Sequence, residues 1–282
     1  MRNYEDFMKE KNIFIFSNSF IVFGCNIVIV ERKHKKNPKG KKVSFMNYLV
    51  IDTETAPTVN HNDNKVHPET SLVYDLGYVI ANTNGDILCK RSFIIAETFN
   101  NIALMKTAYY ANKLPQYREG ASYDSDKNGW KIASFLEVYR TLNDDCKMFH
   151  VKRICAYNIR FDLQALRNTM ETYSNGFRSF TLPYGLKLID IWDAASIITG
   201  TKKYVKWCQR HNFVKSSGNP NTGAETVYSY LTDNVEYVER HTALEDCIIE
   251  NAIFQAVLKK HKKYPHTLGQ GWRAASKIAK RM

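Results

Sequence analysis

Asp52 and Glu54 stand two residues apart at the end of an apolar run, Asn47-Tyr-Leu-Val-Ile-Asp52-Thr-Glu54-Thr55-Ala56. The run is short and rich in β-branched and aromatic residues, which predicts a buried strand. Period two puts both carboxylates on one side of that strand, roughly 7 Å apart along it. Two like charges beside an apolar strand repel unless a cation lies between them. The pair therefore points to a divalent metal site. A solvated strand face carrying two acids accounts for the same residues, and the pair alone does not separate the two readings.

Two later blocks bear on the choice: Asn158-Ile-Arg-Phe-Asp162 and His241-Thr-Ala-Leu-Glu-Asp246. Each residue has a plain alternative. Asp162 sits where a helix N-cap belongs, so capping would account for it. Asp246 fits a charge on the solvated side of a helix. His241 fits a surface histidine, since a helix N-terminus does not favour imidazolium. Phe161 fits packing, and Asp75, Asp190 and Asp193 fit scaffold roles.

The elements that must carry these residues follow from hydrophobic periodicity. After the Asp52 strand, residues 57–70 are expected as a polar loop, and Ser71–Ala81 as a second strand. Asn82-Thr-Asn-Gly85-Asp86 is a hairpin turn into a third strand, Ile87–Ile95, so the first three strands form an antiparallel meander. Residues 96–129 are a long polar and aromatic connection, of the kind that forms lids or binding loops. Its Tyr109, Tyr110, Tyr117 and Tyr123 suit either base stacking or ordinary packing. From Trp130, Ile132, Phe135, Leu136, Tyr139 and Leu142 recur at helical spacing. Arg153–Tyr157 predicts a strand that ends at Asn158, and Asp162 opens a helix with Leu163, Leu166 and Met170 on one face. Gly185–Asp190 predicts another strand, followed by a helix over Ile191–Ile198. A basic and aromatic patch at 202–207, a loop at 215–223, a helix over Ala224–Leu231 and a long final helix from about Glu239 to Lys260 complete the order. Hairpins first and crossovers later imply an α/β fold: a mixed β-sheet of about five strands, the first three antiparallel, flanked by α-helices.

The charge of the 282-residue chain is divided unevenly. Residues 1–45 carry 10 Lys/Arg against 4 Asp/Glu, and 259–282 carry 8 against none, while 46–258 carry 22 against 24. The net charge of +12 is therefore terminal, which suits a polyanion such as nucleic acid or an anionic membrane, or a solvated tail. The six cysteines show no ligand spacing and read as reduced thiols of a cytoplasmic protein. Residues 13–30 carry no charge and precede a basic cluster, so a membrane span there is an expectation to weigh. A β-hairpin turning near Ser17–Ser19 or Gly24, or translation starting at Met46, is favoured over a span. The expected division is an N-terminal extension over 1–45, a catalytic domain over 46–260 and a basic tail over 261–282.

Taken in order, Asp-x-Glu at 52–54, Asn-x-x-Phe-Asp at 158–162 and His-x-x-x-x-Asp at 241–246 resemble the three blocks of the DEDDh exonucleases. These are the DnaQ-like branch of 3′–5′ exonucleases, with a ribonuclease H-like fold, and the resemblance covers about residues 46–260. It implies that Asp52, Glu54 and Asp162 bind one Mg²⁺ or Mn²⁺, that Asp52 bridges to a second, and that Asp246 completes the first site. Two such ions clamp the entering and leaving oxygens of a phosphodiester, and hard cations take carboxylate oxygens. His241 accepts a proton from the attacking water. The family's tyrosine version has Tyr at the position of Thr242, so the histidine class is matched. The backbone at Thr55 and Ala56 lies against the 3′-terminal nucleotide, with Asn158 also on the substrate side and Glu54 near the 3′-hydroxyl. The block before Asp162 begins with Tyr157 where many relatives have His, a departure beside the site. The implied partner is the 3′ end of single-stranded DNA or RNA, with no organic cofactor. A stand-alone exonuclease of bacteriophage or bacterial type is the expectation for a chain without a polymerase domain. The competing function is a catalytically silent nucleic-acid-binding module of the same fold.

Overall fold

A computed structural model describes residues 13–16, 19–22, 46–59, 66–122, 130–260, 264 and 270–282. Strands β1 (Ile13–Phe16) and β2 (Ser19–Val22) pair antiparallel as a hairpin separate from the main sheet. Among the described residues no helix is long and apolar enough to cross a membrane.

The body is built on β3 (Asn47–Val59), β4 (Val66–Asn82) and β5 (Ile87–Ile95), an antiparallel meander as expected from the Asn82–Asp86 turn. Beyond β5 lie β6 (Ala121–Ser122) and β7 (Trp130–Ala133), and beyond β3 lie β8 (Arg153–Ala156) and β9 (Lys187–Asp190), all four joined in parallel. The order across the mixed sheet is β6-β7-β5-β4-β3-β8-β9. The expected loop at 57–70 is shorter, because β3 and β4 keep pairing past two bulges. Residues 60–65, Tyr123, Gly24, Pro265 and Gly269 lie outside the described residues.

The unbroken apolar run of β3 is explained by burial on both sides. Leu49 and Ile51 join a cluster with α1 (Phe135–Met148) and α2 (Ile159–Tyr173). Tyr48 and Val50 join the opposite cluster, with α3 (Lys202–Arg210), α4 (Ala224–Thr232) and α5 (Ala243–Lys260). A last helix, α6 (Trp272–Ala279), lies in the basic C-terminal stretch and packs on α3 and on the short helix Ser196–Thr199.

Two expected elements differ. Trp130–Ala133 is an edge strand, and the helix begins only at Phe135, because Ser134 Oγ accepts from the Glu137 backbone and closes the N-terminus there. Residues 96–120 fold into short helices, Ala96–Phe99, Ile102–Met105 and Leu114–Gly120 among them. Met105, Ala108 and Tyr117 of this segment pack on Ala56, Tyr74 and Ile94, which brings it over the carboxylate end of β3.

Candidate active site

The alternation that buries Tyr48 and Val50 against α5 carries on to Asp52 and Glu54, so both carboxylates emerge on the α5 side at the strand's end. A bulge between Glu54 and Thr55 interrupts the pairing with β4 at this point, and such bulges re-aim the side chains beside them. Asp52 lies directly opposite Gly77 of β4. A Cβ on Gly77 would stand 2.3 Å from the Ala243 carbonyl carbon and from the Leu244 nitrogen. Only glycine lets the start of α5 rest on the sheet here. Gly77→Ala is therefore expected to lower stability by about 1–3 kcal/mol, the range for overpacking. Because it displaces the helix that carries Asp246, it is also expected to lower turnover by about 10²-fold. Thermal melts and initial rates check both, and unchanged values of each would show that α5 does not rest on this contact.

The start of α5 is held by a second device. Asp75, fully buried, accepts from the Ala243 backbone at 3.1 Å and from the Tyr117 hydroxyl at 2.8 Å. Its scaffold role is thus specific: it fixes the helix that carries the third motif. The expected start at Glu239 is corrected to Ala243. His241 has φ +52°, a left-handed conformation no helix continues through, and Thr242-Ala-Leu-Glu245 has capping-box spacing, with Thr242 Oγ1 donating to Glu245 at 3.1 Å. His241 therefore precedes the helix instead of riding on it. Its ring stacks on Tyr110, with centroids 4.4 Å apart and planes 14° from parallel. Its Nδ1 lies 3.5 Å from Glu239 Oε2.

The second block comes from the opposite layer. Asn158, not Asp162, occupies the N-cap position of α2, in a left-handed conformation with φ +68° that suits asparagine. Its N–H donates to Asp190, which also caps the helix that follows β9, so Asp190 is structural. Asp162 lies in the first turn of α2, buried, and accepts from Thr53 Oγ1 at 2.8 Å. Phe161 is a correction: it is 42% exposed and belongs to the open surface beside Asp162, not to the core. Thr55 sits at the bulge and is half-buried, whereas Ala56 is buried entirely, backbone included, so of this expected pair only Thr55 is open to a ligand.

The ligand atoms of Asp52, Glu54 and Asp246 lie within 4.8 Å of one another, as do those of Glu239, His241 and Asp246. Asp246 belongs to both groups. Asp162 stands just outside the first group, close enough that its charge acts on Asp52. Burial, then the charges of Glu250, Asp162, Asp246 and Glu54, push the Asp52 carboxyl well above its usual range. Burial and neighbouring acids likewise push Glu54 up to about 9 and Asp246 up to about 8. Burial takes Asp162 up to about 7 against the hydrogen bond from Thr53. Asp246 Oδ1 is buried and finds no hydrogen-bond partner among the described residues. An all-oxygen set of crowded carboxylates with an orphaned buried oxygen fits hard divalent cations.

Such a set has a stability signature. Each raised carboxyl holds its proton in the folded state at a pH where the unfolded chain has lost it. Stability is thus full below the unfolded value near 4, and falls as pH rises through the folded values of about 7 to 9. The metal-free protein is expected to melt at a lower temperature at pH 8.5 than at pH 5. Adding Mn²⁺ at pH 8.5 is expected to restore the loss. A melting temperature that rises from pH 5 to 8.5 in chelator would count against this cluster.

Several residues were not legible from the motifs. Glu250, one helical turn beyond Asp246, is buried and accepts from the Tyr157 backbone at 3.1 Å; its spacing of four from Asp246 was the available signal. Glu239 stands two residues before His241, and its carboxylate lies beside the imidazole. Tyr110 was marked only as a stacking or packing tyrosine, with no sign that its partner is His241, and Lys113 had no signal. Lys113 donates to the Arg240 carbonyl and lies 4.7 Å from the Tyr110 ring centroid. The tyrosines of the 96–129 connection divide: Tyr117 is core, Tyr110 supports His241, and Tyr109 is 85% exposed.

No protein-family model matches the sequence, and no curated protein does. Solved structures of exonuclease I match in fold. The zinc-bound complex of E. coli exonuclease I with single-stranded DNA aligns at a TM-score of 0.50 and 15% identity, over 78% of this chain and 42% of that one. Another exonuclease I structure, described as suggesting how processivity is achieved, gives a TM-score of 0.50 and 15% identity over 77% and 41%. This chain thus spans less than half the length of those proteins. The likeness shows that this chain shares its fold with exonuclease I, and it bears out the expected mixed sheet flanked by helices.

Proposed function

We propose that this protein is a metal-dependent 3′–5′ exonuclease that releases nucleoside 5′-monophosphates from a DNA or RNA end. The observation that carries this is the meeting of Asp52, Glu54 and Asp246 within 4.8 Å, with Asp162 and His241 beside them from separate elements. The fold likeness to exonuclease I supports it.

Asp52, Glu54, Asp246 and Asp162 would hold two Mg²⁺ or Mn²⁺ ions. When bound, these ions neutralise charge on the phosphate and on the attacking and leaving oxygens. The remaining work falls to the chain's own groups. Burial, then the charge of Lys113, lowers the His241 imidazole below its ordinary pKa, so it is neutral at pH 7. Glu239 beside Nδ1 favours the ring proton there, which leaves Nε2 to accept from water. Tyr110 holds the plane of the ring. The water oxygen bonds to phosphorus as His241 takes its proton, and the P–O3′ bond breaks. The O3′ left on the shortened strand takes up a proton from solvent, and the terminal nucleotide leaves with the new phosphate oxygen; His241 then releases its proton to solvent. Thr55 and the exposed Asn158 would bound the space for that nucleotide.

The test offers 5′-end-labelled single-stranded DNA, duplex DNA and RNA with Mg²⁺, Mn²⁺ or chelator. The expected result is a metal-dependent ladder that shortens from the 3′ end. Binding of the strands without any hydrolysis would favour the silent module, and loss from the 5′ end would overturn the polarity.

A further inference from the structure

α3 and α6 are far apart in the chain yet pack on one another, and with the two residues that follow α6 they carry eight cations and no acid. On α3, Lys202, Lys206 and Arg210 recur at spacing four, with Lys203 between them, while Tyr204, Val205, Trp207 and Cys208 are buried beneath. On α6, Arg273 and Lys277 repeat the same spacing, Lys280 and Arg281 follow directly past its end, and Ala275 and Ser276 face inward. All eight are exposed, and none pairs with a carboxylate among the described residues. Trp272 adds an indole face, 45% exposed, with the Arg273 guanidinium 5.7 Å from its centre.

The docking of α6 is built, not incidental. A Cβ on Gly271 would stand 2.4 Å from the Trp192 carbonyl oxygen, and one on Gly200 would stand 2.8 Å from the Ala274 Cβ. The Gln270 N–H donates to the buried Asp193 carboxylate at 2.6 Å. This anchor lies just past the end of β9, where Asp190 also holds the Asn158 backbone. The starts of α3 and α6 are therefore anchored at the same end of the sheet as the carboxylate cluster, one strand from the second motif.

We infer that α3 and α6 form one phosphate-tracking surface that binds the single strand on the 5′ side of the nucleotide being removed, with Trp272 available to stack on a base. The inference rests on the exonuclease reading for the direction of the strand. An anionic membrane is the other polyanion such a surface could meet. Nucleic acid is favoured because this surface shares its end of the sheet with the acidic site.

The experiment measures binding in chelator, where nothing is cut, of a labelled 20-nucleotide and a labelled 4-nucleotide single strand. The variant is Lys202→Gln, Lys206→Gln, Arg273→Gln, Lys277→Gln, all at exposed positions, with a thermal melt as the folding check. Affinity for the 20-mer is expected to fall by about 10- to 100-fold at low salt, and its log–log salt slope to shrink by about 3, near 0.7 per lost phosphate contact. Affinity for the 4-mer is expected to stay within about twofold. Unchanged 20-mer binding, equal loss for both strands, or a loss confined to phosphatidylserine vesicles would each overturn the proposal. A wild-type protein that binds the 20-mer through these residues but cleaves nothing would sink the exonuclease reading and leave this surface standing.

Discussion

Asp52→Asn is expected to lower cleavage by at least about 10³-fold, several kcal/mol of transition-state stabilisation. The position is central in three ways. It belongs to the group of carboxylates within 4.8 Å of each other, its charge is opposed by four neighbouring acids, and its backbone pairs with the glycine on which α5 rests. An amide keeps the shape but cannot supply the negative charge that a divalent cation needs. The same change has an opposite effect on the metal-free protein. Asn resembles the protonated acid, so it relieves repulsion, and the melting temperature in chelator at pH 8.5 is expected to rise. The gain in melting temperature on adding Mn²⁺ is expected to shrink. Lost activity with an unchanged Mn²⁺ response would mean that Asp52 acts on the substrate by another route. Undiminished activity would end the assignment.

His241→Ala is expected to reduce turnover by about 10²–10⁴-fold, the range for a lost general base. The imidazole is held by the Tyr110 ring on one face and by Glu239 at Nδ1, so the group is placed before substrate arrives. Burial and Lys113 disfavour the charged ring, which keeps the base neutral to lower pH than an ordinary histidine. The acid limb of the wild-type pH–rate profile is expected below pH 6.5. In the variant that limb is expected to vanish while the dependence on Mn²⁺ concentration stays. Retention of the limb would assign the proton to another group, of which Glu239 is the nearest candidate.

Much of this protein was legible in its residue order. The antiparallel meander followed from the turn at Asn82–Asp86, and the metal-site candidates from three motifs in a fixed order, because these depend on local spacing. Spacing misled where a local cap cut across it. Periodicity ran a helix back to Trp130, yet Ser134 ends the strand and begins the helix. It likewise ran α5 back to Glu239, past a left-handed His241.

What the chain order determined was which groups are present and on which side of each element they lie. Only the tertiary structure decided their company: Glu250 beneath Asp246, Tyr110 against the imidazole, Gly77 under the helix start, and α6 folded back beside α3. Those neighbours are set by close packing between segments distant along the chain. Contacts of that kind leave no periodic mark in either sequence segment, whereas the alternation of a strand and the turn of a helix do.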